Sequence, residues 1–100
     1  MYLGSYNAGA AVSERWGLPV SETQILRQLA VRIKMLREAR GWTQEQLAER
    51  AAIQRSYLGD LELGRRNPSV RTLVKVSNAF GIDVSELLEG SRKERTARGQ

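Results

Sequence analysis

Apolar residues recur with a helical period on both sides of a short corner in the segment between residues 43 and 64, TQEQLAERAAIQRSYLGDLELG. Side chains three or four positions apart lie on one face of an α-helix, so an apolar stripe at this spacing marks a buried face. The stripe consists of Leu47, Ala48 and Ala51 before the corner, Ile53 at the corner, and Leu58 and Leu61 after it. The pattern predicts two short helices joined by a tight turn.

Polar or small residues fill the positions between the apolar anchors of the second predicted helix. They are Gln54, Arg55, Ser56, Tyr57, Gly59 and Asp60. Most of these residues carry groups that hydrogen-bond phosphates or the edges of bases in a DNA groove. The segment is typical of a helix-turn-helix unit, and it predicts a protein that binds DNA.

The residues before this unit predict a first helix that begins at Ser21 and ends at Gly41. Ser21 and Gln24 have the spacing of a capping box, and glycine is favoured just after the last turn of a helix. The apolar residues of this helix, which we expect to lie in or near the core, are Ile25, Leu26, Leu29, Ala30, Ile33, Met35 and Leu36.

Similar signals mark the remaining helices. Thr43 and Gln46 form a second capping box, which opens the helix before the corner. Ser69 precedes a fourth helix, for which we predict an inner face of Val70, Leu73, Val74, Ser77 and Phe80. A third box, Asp83 with Glu86, opens a short fifth helix that runs through Leu88.

The whole pattern predicts an all-α fold, a compact five-helix domain over residues 21–89. Residues 1–20 lack a sustained period and predict a flexible arm, in which Trp16 and Leu18 are candidates to dock on the domain. Residues 90–100 are basic and lack an apolar period, so we expect a disordered, solvated tail.

Composition narrows the possible functions. The net charge of +5 favours a polyanionic partner, with nucleic acid ahead of an anionic membrane. The chain contains neither cysteine nor histidine, which removes thiol chemistry and the usual general base. The nearest carboxylate pair, Asp60 and Glu62, would point in different directions on a helix. We therefore predict a cytoplasmic protein that is not an enzyme and holds no cofactor or metal.

From about Leu29 to Leu88 the chain resembles the Cro and lambda-repressor-like, or XRE-type, helix-turn-helix family. The resemblance rests on the motifs GWTQEQLAERA, SYLGDLE, ELGRRNPS and DVSELL, in this order. Small stand-alone phage repressors and restriction-modification controller proteins are similar proteins of this kind. The resemblance implies a lambda-repressor-like domain whose third helix enters the major groove.

The resemblance also implies a set of DNA contacts. Arg55 is the best candidate to read a base, because a guanidinium can pair with O6 and N7 of guanine, and its alternative role is a phosphate clamp. Asp60 could accept a hydrogen bond from cytosine N4, or it could instead orient Arg55 or Arg65. The full set is Thr43, Gln44, Gln54, Arg55, Ser56, Tyr57, Gly59, Asp60, Arg65, Arg66 and Asn67.

Several of these residues have structural alternatives. Gln44 would hold a phosphate while it touches the start of the recognition helix, or it would be a solvated residue of the capping turn. Ser56 and Tyr57 would contact phosphates, but Tyr57 could equally be a half-buried packing ring. Arg65, Arg66 and Asn67 would grip the DNA backbone, or they would form a plain solvated loop.

The family pattern assigns structural roles to other positions. Arg37 and Glu62 match a salt bridge between the first and third helices, with two separate solvated charges as the alternative. Trp42 is expected in the core rather than stacked on DNA. Two departures concern Ala52, where the family often has glycine in a left-handed turn, and Gln54, where it favours a shorter capping residue. The turn is then either strained or slightly different, and Gln54 is freer to reach DNA.

These inferences lead to a sequence-specific regulator that binds an inverted repeat as a homodimer. We expect the dimer interface at Ile82, Val84, Leu87 and Leu88, although these residues could simply close the core of the monomer. The competing hypothesis is an antitoxin that binds a toxin partner and represses its own operon. A polymerase partner also stays open, as does the choice between activation and repression.

Overall fold

The computed structural model describes residues 21–88, and within this part of the chain it contains five helices and no strand. They are α1 (Glu22–Ala39), α2 (Gln44–Ala51), α3 (Arg55–Glu62), α4 (Val70–Phe80) and α5, which begins at residue 84 and is described through residue 88. The all-α prediction is confirmed. The predicted arm, with Trp16 and Leu18, and the predicted tail lie outside the described residues.

The helices begin where the capping signals predict. The hydroxyl of Ser21 accepts from the backbone N–H of Gln24 at 3.1 Å, and the Gln24 side chain accepts from the backbone N–H of Ser21 at 3.2 Å. Thr43 and Gln46 form the same reciprocal pair before α2, at 3.1 and 2.8 Å. Each such cap satisfies N–H groups that the first turn cannot pair, which stabilises a helix by about 1 kcal/mol.

The core forms where α3 packs between α1 and α2, with α4 packed against α2. Its members come from all five helices within the described residues. The buried apolar residues are Leu29, Ala30, Ile33, Leu47, Ala48, Ala51, Leu58, Leu61, Val76, Phe80 and Leu87. Both helices of the predicted helix-turn-helix unit therefore bury the apolar face that the sequence assigns to them.

The predicted inner face of α4 is partly wrong. Val70 and Val74 are 73% and 40% exposed, whereas Val76 is fully buried. Each helical residue turns by about 100°, so a stripe centred on Leu73 and Phe80 leaves the two exposed valines to one side of it. Ser77 is buried as predicted, and its hydroxyl donates to the backbone carbonyl of Leu73 at 2.8 Å.

The apolar stripe of α1 is narrower than predicted. Leu29, Ala30 and Ile33 are buried, but Ile25 and Met35 are exposed. Met35 lies two residues beyond Ile33, which places it about 200° around the helix from that core residue. No helix in the described part of the chain has the length and apolar character that crossing a membrane requires.

Candidate nucleic-acid interface

The turn between α2 and α3 adopts the strained form of the two that the sequence left open. Ala52 has a left-handed backbone, with φ 57° and ψ 46°. The backbone N–H of Ile53 donates to the carbonyl of Ala48 at 3.0 Å, which closes the corner. A left-handed alanine costs about 1–2 kcal/mol because its Cβ crowds the backbone. The left-handed residue makes the turn sharp and thereby fixes the angle between α2 and α3.

The first turn of α3 presents its polar side chains to solvent. Gln54 stands at the N-cap position but makes no capping hydrogen bond with its side chain. Gln54, Arg55 and Ser56 are all exposed. Since Leu58 and Leu61 are buried, the helix is anchored by one face and displays the other. The three exposed residues are among those that the resemblance assigns to DNA, and the others on α3 are half-buried: Tyr57, Gly59 and Asp60.

Tyr57 and Asp60 of α3 form a cluster with Arg66, which follows the helix. The Arg66 Nε atom lies 3.5 Å from Asp60 Oδ2, and its guanidinium lies 5.4 Å from the centre of the Tyr57 ring. Tyr57 is half-buried and packs against the core. The structure thus pairs Asp60 with Arg66, a pairing that sequence reasoning missed when it considered Arg55 and Arg65.

The loop after α3 is tied to the rest of the domain at both ends. The backbone N–H of Arg65 donates to the carbonyl of Asp60 at 2.9 Å. The Asn67 amide donates to Glu22 Oε2 at 3.0 Å, which joins the loop to the start of α1. The side chains of Arg65, Arg66 and Asn67 are all exposed. The loop therefore holds two cations beside the exposed face of α3.

An ion pair behind α3 fixes its position relative to α1. Arg37 Nε lies 2.7 Å from Glu62 Oε2, and Arg37 Nη2 donates to Glu62 Oε1 at 3.1 Å. Their side chains are only 11% and 3% exposed. The hydrogen bond to Glu62 raises the pKa of Arg37, and burial opposes this effect. The two charges are thus joined rather than separately solvated.

Gln44 extends this network from α2. Its Nε2 atom donates to Glu62 Oε1 at 3.0 Å. The resemblance implies a contact with the start of the recognition helix, but the structure places the Gln44 amide against the other end of α3. A bidentate ion pair with an added amide donor satisfies the Glu62 carboxylate where water cannot reach it. Gln44 therefore links the start of α2 to the C-terminal turn of α3.

Trp42 packs against the core, as predicted. Its ring stacks on Phe80 with centroids 5.7 Å apart and an interplanar angle of 5°. The Arg50 guanidinium lies 4.3 Å from the Trp42 ring centre. The Arg40 guanidinium lies over both rings and donates to the Phe80 carbonyl at 2.9 Å. No sequence pattern indicated these cation–π contacts, which occupy two of the basic side chains.

The predicted dimer residues do not form a uniform surface. Leu87 is fully buried in the core, so its assignment to an interface is wrong, because a residue that already fills the monomer core has no area left for a partner. Ile82 and Val84 are half-buried, and Leu88 is 43% exposed. The accessible part of the predicted interface is therefore centred on Leu88.

Comparison with known proteins agrees with this geometry. A family model described as Helix-turn-helix matches residues 33–87, a span that contains the turn, α3 and the loop after it. The chain belongs to this helix-turn-helix family.

Relatives and solved structures with similarity to this member of the family include repressors and controller proteins. The immunity repressor protein of Bacillus phage phi105 is 53% identical over 57 residues, which are 57% of this chain and 40% of the repressor. The chain therefore spans less than half the length of this curated relative. The controller protein C.AhdI from Aeromonas hydrophila has a TM-score of 0.60 and 39% identity, over 62% of this chain and 94% of that structure.

A second controller protein is known as a DNA complex. The structure of the C.Esp1396I tetramer with its natural 35-base-pair operator has a TM-score of 0.64 and 27% identity to this chain. The match covers 70% of this chain and 92% of that structure. The fold described above is thus similar to one that is known bound to an operator.

Proposed function

We propose that this helix-turn-helix protein is a sequence-specific regulator of transcription that binds double-stranded DNA, with α3 in the major groove. The exposed polar face of α3 carries the proposal, because the opposite face is buried and held by the ion pair of Arg37 and Glu62. A rigid helix with one free polar face suits the width of the major groove. The same role is supported by two similar proteins, an immunity repressor and a controller protein known in complex with its operator.

The residues of this surface divide into two kinds of contact. Arg55 and Ser56, with Gln54 before them, are exposed on the first turn of α3, from which recognition helices reach base edges. Arg65, Arg66 and Asn67 lie in the loop beside the helix, where cations meet phosphates. Thr43 and Gln44 at the start of α2 contribute a third group of phosphate contacts in this proposal, because free N–H groups at a helix N-terminus favour anions.

We also propose that two copies bind an inverted repeat. Paired recognition helices then lie about one helical turn, roughly 34 Å, apart. Leu88, with the half-buried Val84 and Ile82 beside it, supplies the accessible apolar surface for the dimer. The operator complex of C.Esp1396I supports an assembly of several copies on one DNA site.

The substitution Arg55→Ala tests the role of α3. We expect it to cost about 1–3 kcal/mol on the preferred duplex and to relax preference at one base position. Binding is measured on the preferred duplex and on single-base variants of it. The matched control is Lys34→Ala, which removes an exposed cation from α1, the helix that packs on the buried side of α3. Equal weakening on every duplex by Arg55→Ala would show that Arg55 contacts only phosphate.

A further inference from the structure

Gly59 lies in the middle of α3, at a position where the backbone does not call for glycine. Glycine is the poorest helix former apart from proline, because it loses the most backbone freedom on folding. Gly41, Gly64 and Gly81 have φ values of 71–75°, in the left-handed region that favours glycine. Gly59 has an ordinary helical backbone within α3. Its conformation therefore gives no reason for a missing side chain.

Crowding inside the domain gives no reason either. Apart from the neighbouring backbone of its own helix, a Cβ atom on Gly59 would meet within 4 Å only Gln44 Oε1, at 3.9 Å. This distance is an ordinary van der Waals contact, so an alanine methyl fits without moving Gln44 from its hydrogen bond to Glu62. A longer side chain would compete with Gln44 for the same space. Alanine is therefore the substitution that the fold accepts.

The place of Gly59 on α3 indicates what does require the glycine. Arg55 and Ser56 lie one turn before it, and both are exposed. Leu58 and Leu61 point to the buried side of the helix. Gly59 is itself partly exposed, and its missing side chain leaves the backbone of α3 uncovered beside this exposed turn. This part of α3 lies within the surface that we propose enters the major groove.

We infer that Gly59 is a specificity-determining residue, because the lack of a Cβ lets the backbone of α3 approach the floor of the groove. The inference rests on the proposed function. A methyl group at Gly59 would hold the helix away from the bases and weaken contacts from Arg55. Contacts from Arg66 to phosphates outside the groove would change little, since phosphate contacts position the protein and base contacts specify the sequence.

The substitution Gly59→Ala tests this role, because we expect it to stabilise the fold and to weaken sequence-specific DNA binding. We expect the midpoint of thermal unfolding to rise by about 4–8 °C, since alanine favours the helix. We expect affinity for the duplex that the wild-type protein enriches from a random pool to fall about fivefold to 150-fold, the value of one good base contact. Affinity of the variant for the unselected pool should stay within about twofold of the wild-type value.

The control is Asn78→Ala, which replaces another weak helix former at an exposed position of α4. It should raise the unfolding midpoint and leave both affinities unchanged. A lower midpoint for Gly59→Ala would show that the fold needs the glycine, and unchanged affinity for the enriched duplex would show that DNA does not approach it. Either result overturns the inference about Gly59 but leaves the proposed function standing. If the wild-type protein enriches no sequence, the proposed function fails, and the inference fails with it.

Discussion

At the scale of single residues, the domain is organised by a few charged groups whose partners the structure identifies. Glu62 receives two hydrogen bonds from Arg37 and one from Gln44, while Arg37 also donates to the carbonyl of Trp42 at 2.8 Å. These bonds connect α1, α2 and α3 at one buried carboxylate. The resemblance of the sequence implied the pair of Arg37 and Glu62, but no spacing rule pointed to Gln44 as a third member.

Glu62→Ala should destabilise the domain by about 3–5 kcal/mol, because it leaves the Arg37 guanidinium partly buried without its carboxylate partner. Urea unfolding followed by circular dichroism measures the loss. Glu45→Ala on the exposed surface of α2 is the control and should change stability by about 0.5 kcal/mol or less. A loss of similar size in both variants would contradict a structural role for the ion pair.

Arg66→Ala should weaken binding to every duplex and flatten its dependence on salt. Each phosphate that a cation neutralises contributes about 0.9 to the slope of log affinity against log salt concentration. The contact with Asp60 is exposed and worth little in the free protein, so it leaves Arg66 available for a phosphate. Titrations at several salt concentrations measure the slope. An unchanged slope would remove Arg66 from the phosphate contacts.

At the scale of elements, helix ends were easier to predict than helix faces. The capping residues Ser21, Thr43 and Ser69 act through bonds to groups three residues away, so a local sequence signal is enough. The faces of helices depend on their neighbours. Val70 and Val74 are apolar but exposed, because burial in α4 is decided by how the helix sits on α2. The orientation of α4 on α2 could not be predicted from the sequence of α4 alone.

Ala52→Gly should stabilise the domain by about 1 kcal/mol, because glycine adopts the left-handed turn without the crowding of a Cβ. The gain is reduced by the greater freedom of glycine in the unfolded chain. Thermal unfolding measures the change. Ala51→Gly, one position earlier in the buried last turn of α2, should destabilise instead and serves as the control. A loss of stability in Ala52→Gly would contradict the strained turn.

At the scale of the whole molecule, the boundary between the core and the exposed surface falls between Leu87 and Leu88. Both residues are leucines of α5, so the sequence alone could not predict which of the two fills the core of the monomer. The structure buries Leu87 completely and leaves Leu88 43% exposed. The choice follows from helical geometry, since adjacent residues differ by about 100° in direction. The proposed assembly therefore depends on the more exposed residue.

Leu87→Ala and Leu88→Ala should have different consequences. Leu87→Ala should cost about 2–5 kcal/mol of folding stability by leaving a cavity in the core. Leu88→Ala should leave the fold intact and shift the protein toward monomers, which sedimentation equilibrium measures. A stable dimer in Leu88→Ala would move the proposed interface elsewhere on the domain.

The central claim is that this protein recognises a particular DNA sequence through α3. The most direct test is selection of bound duplexes from a random pool with the purified protein at about physiological salt. Enrichment of an inverted repeat, with half-sites about one helical turn apart, is the result that the structure and the family lead us to expect. Binding without enrichment of any sequence would contradict the claim, and it would reduce the protein to a basic helical domain that attracts DNA by charge alone.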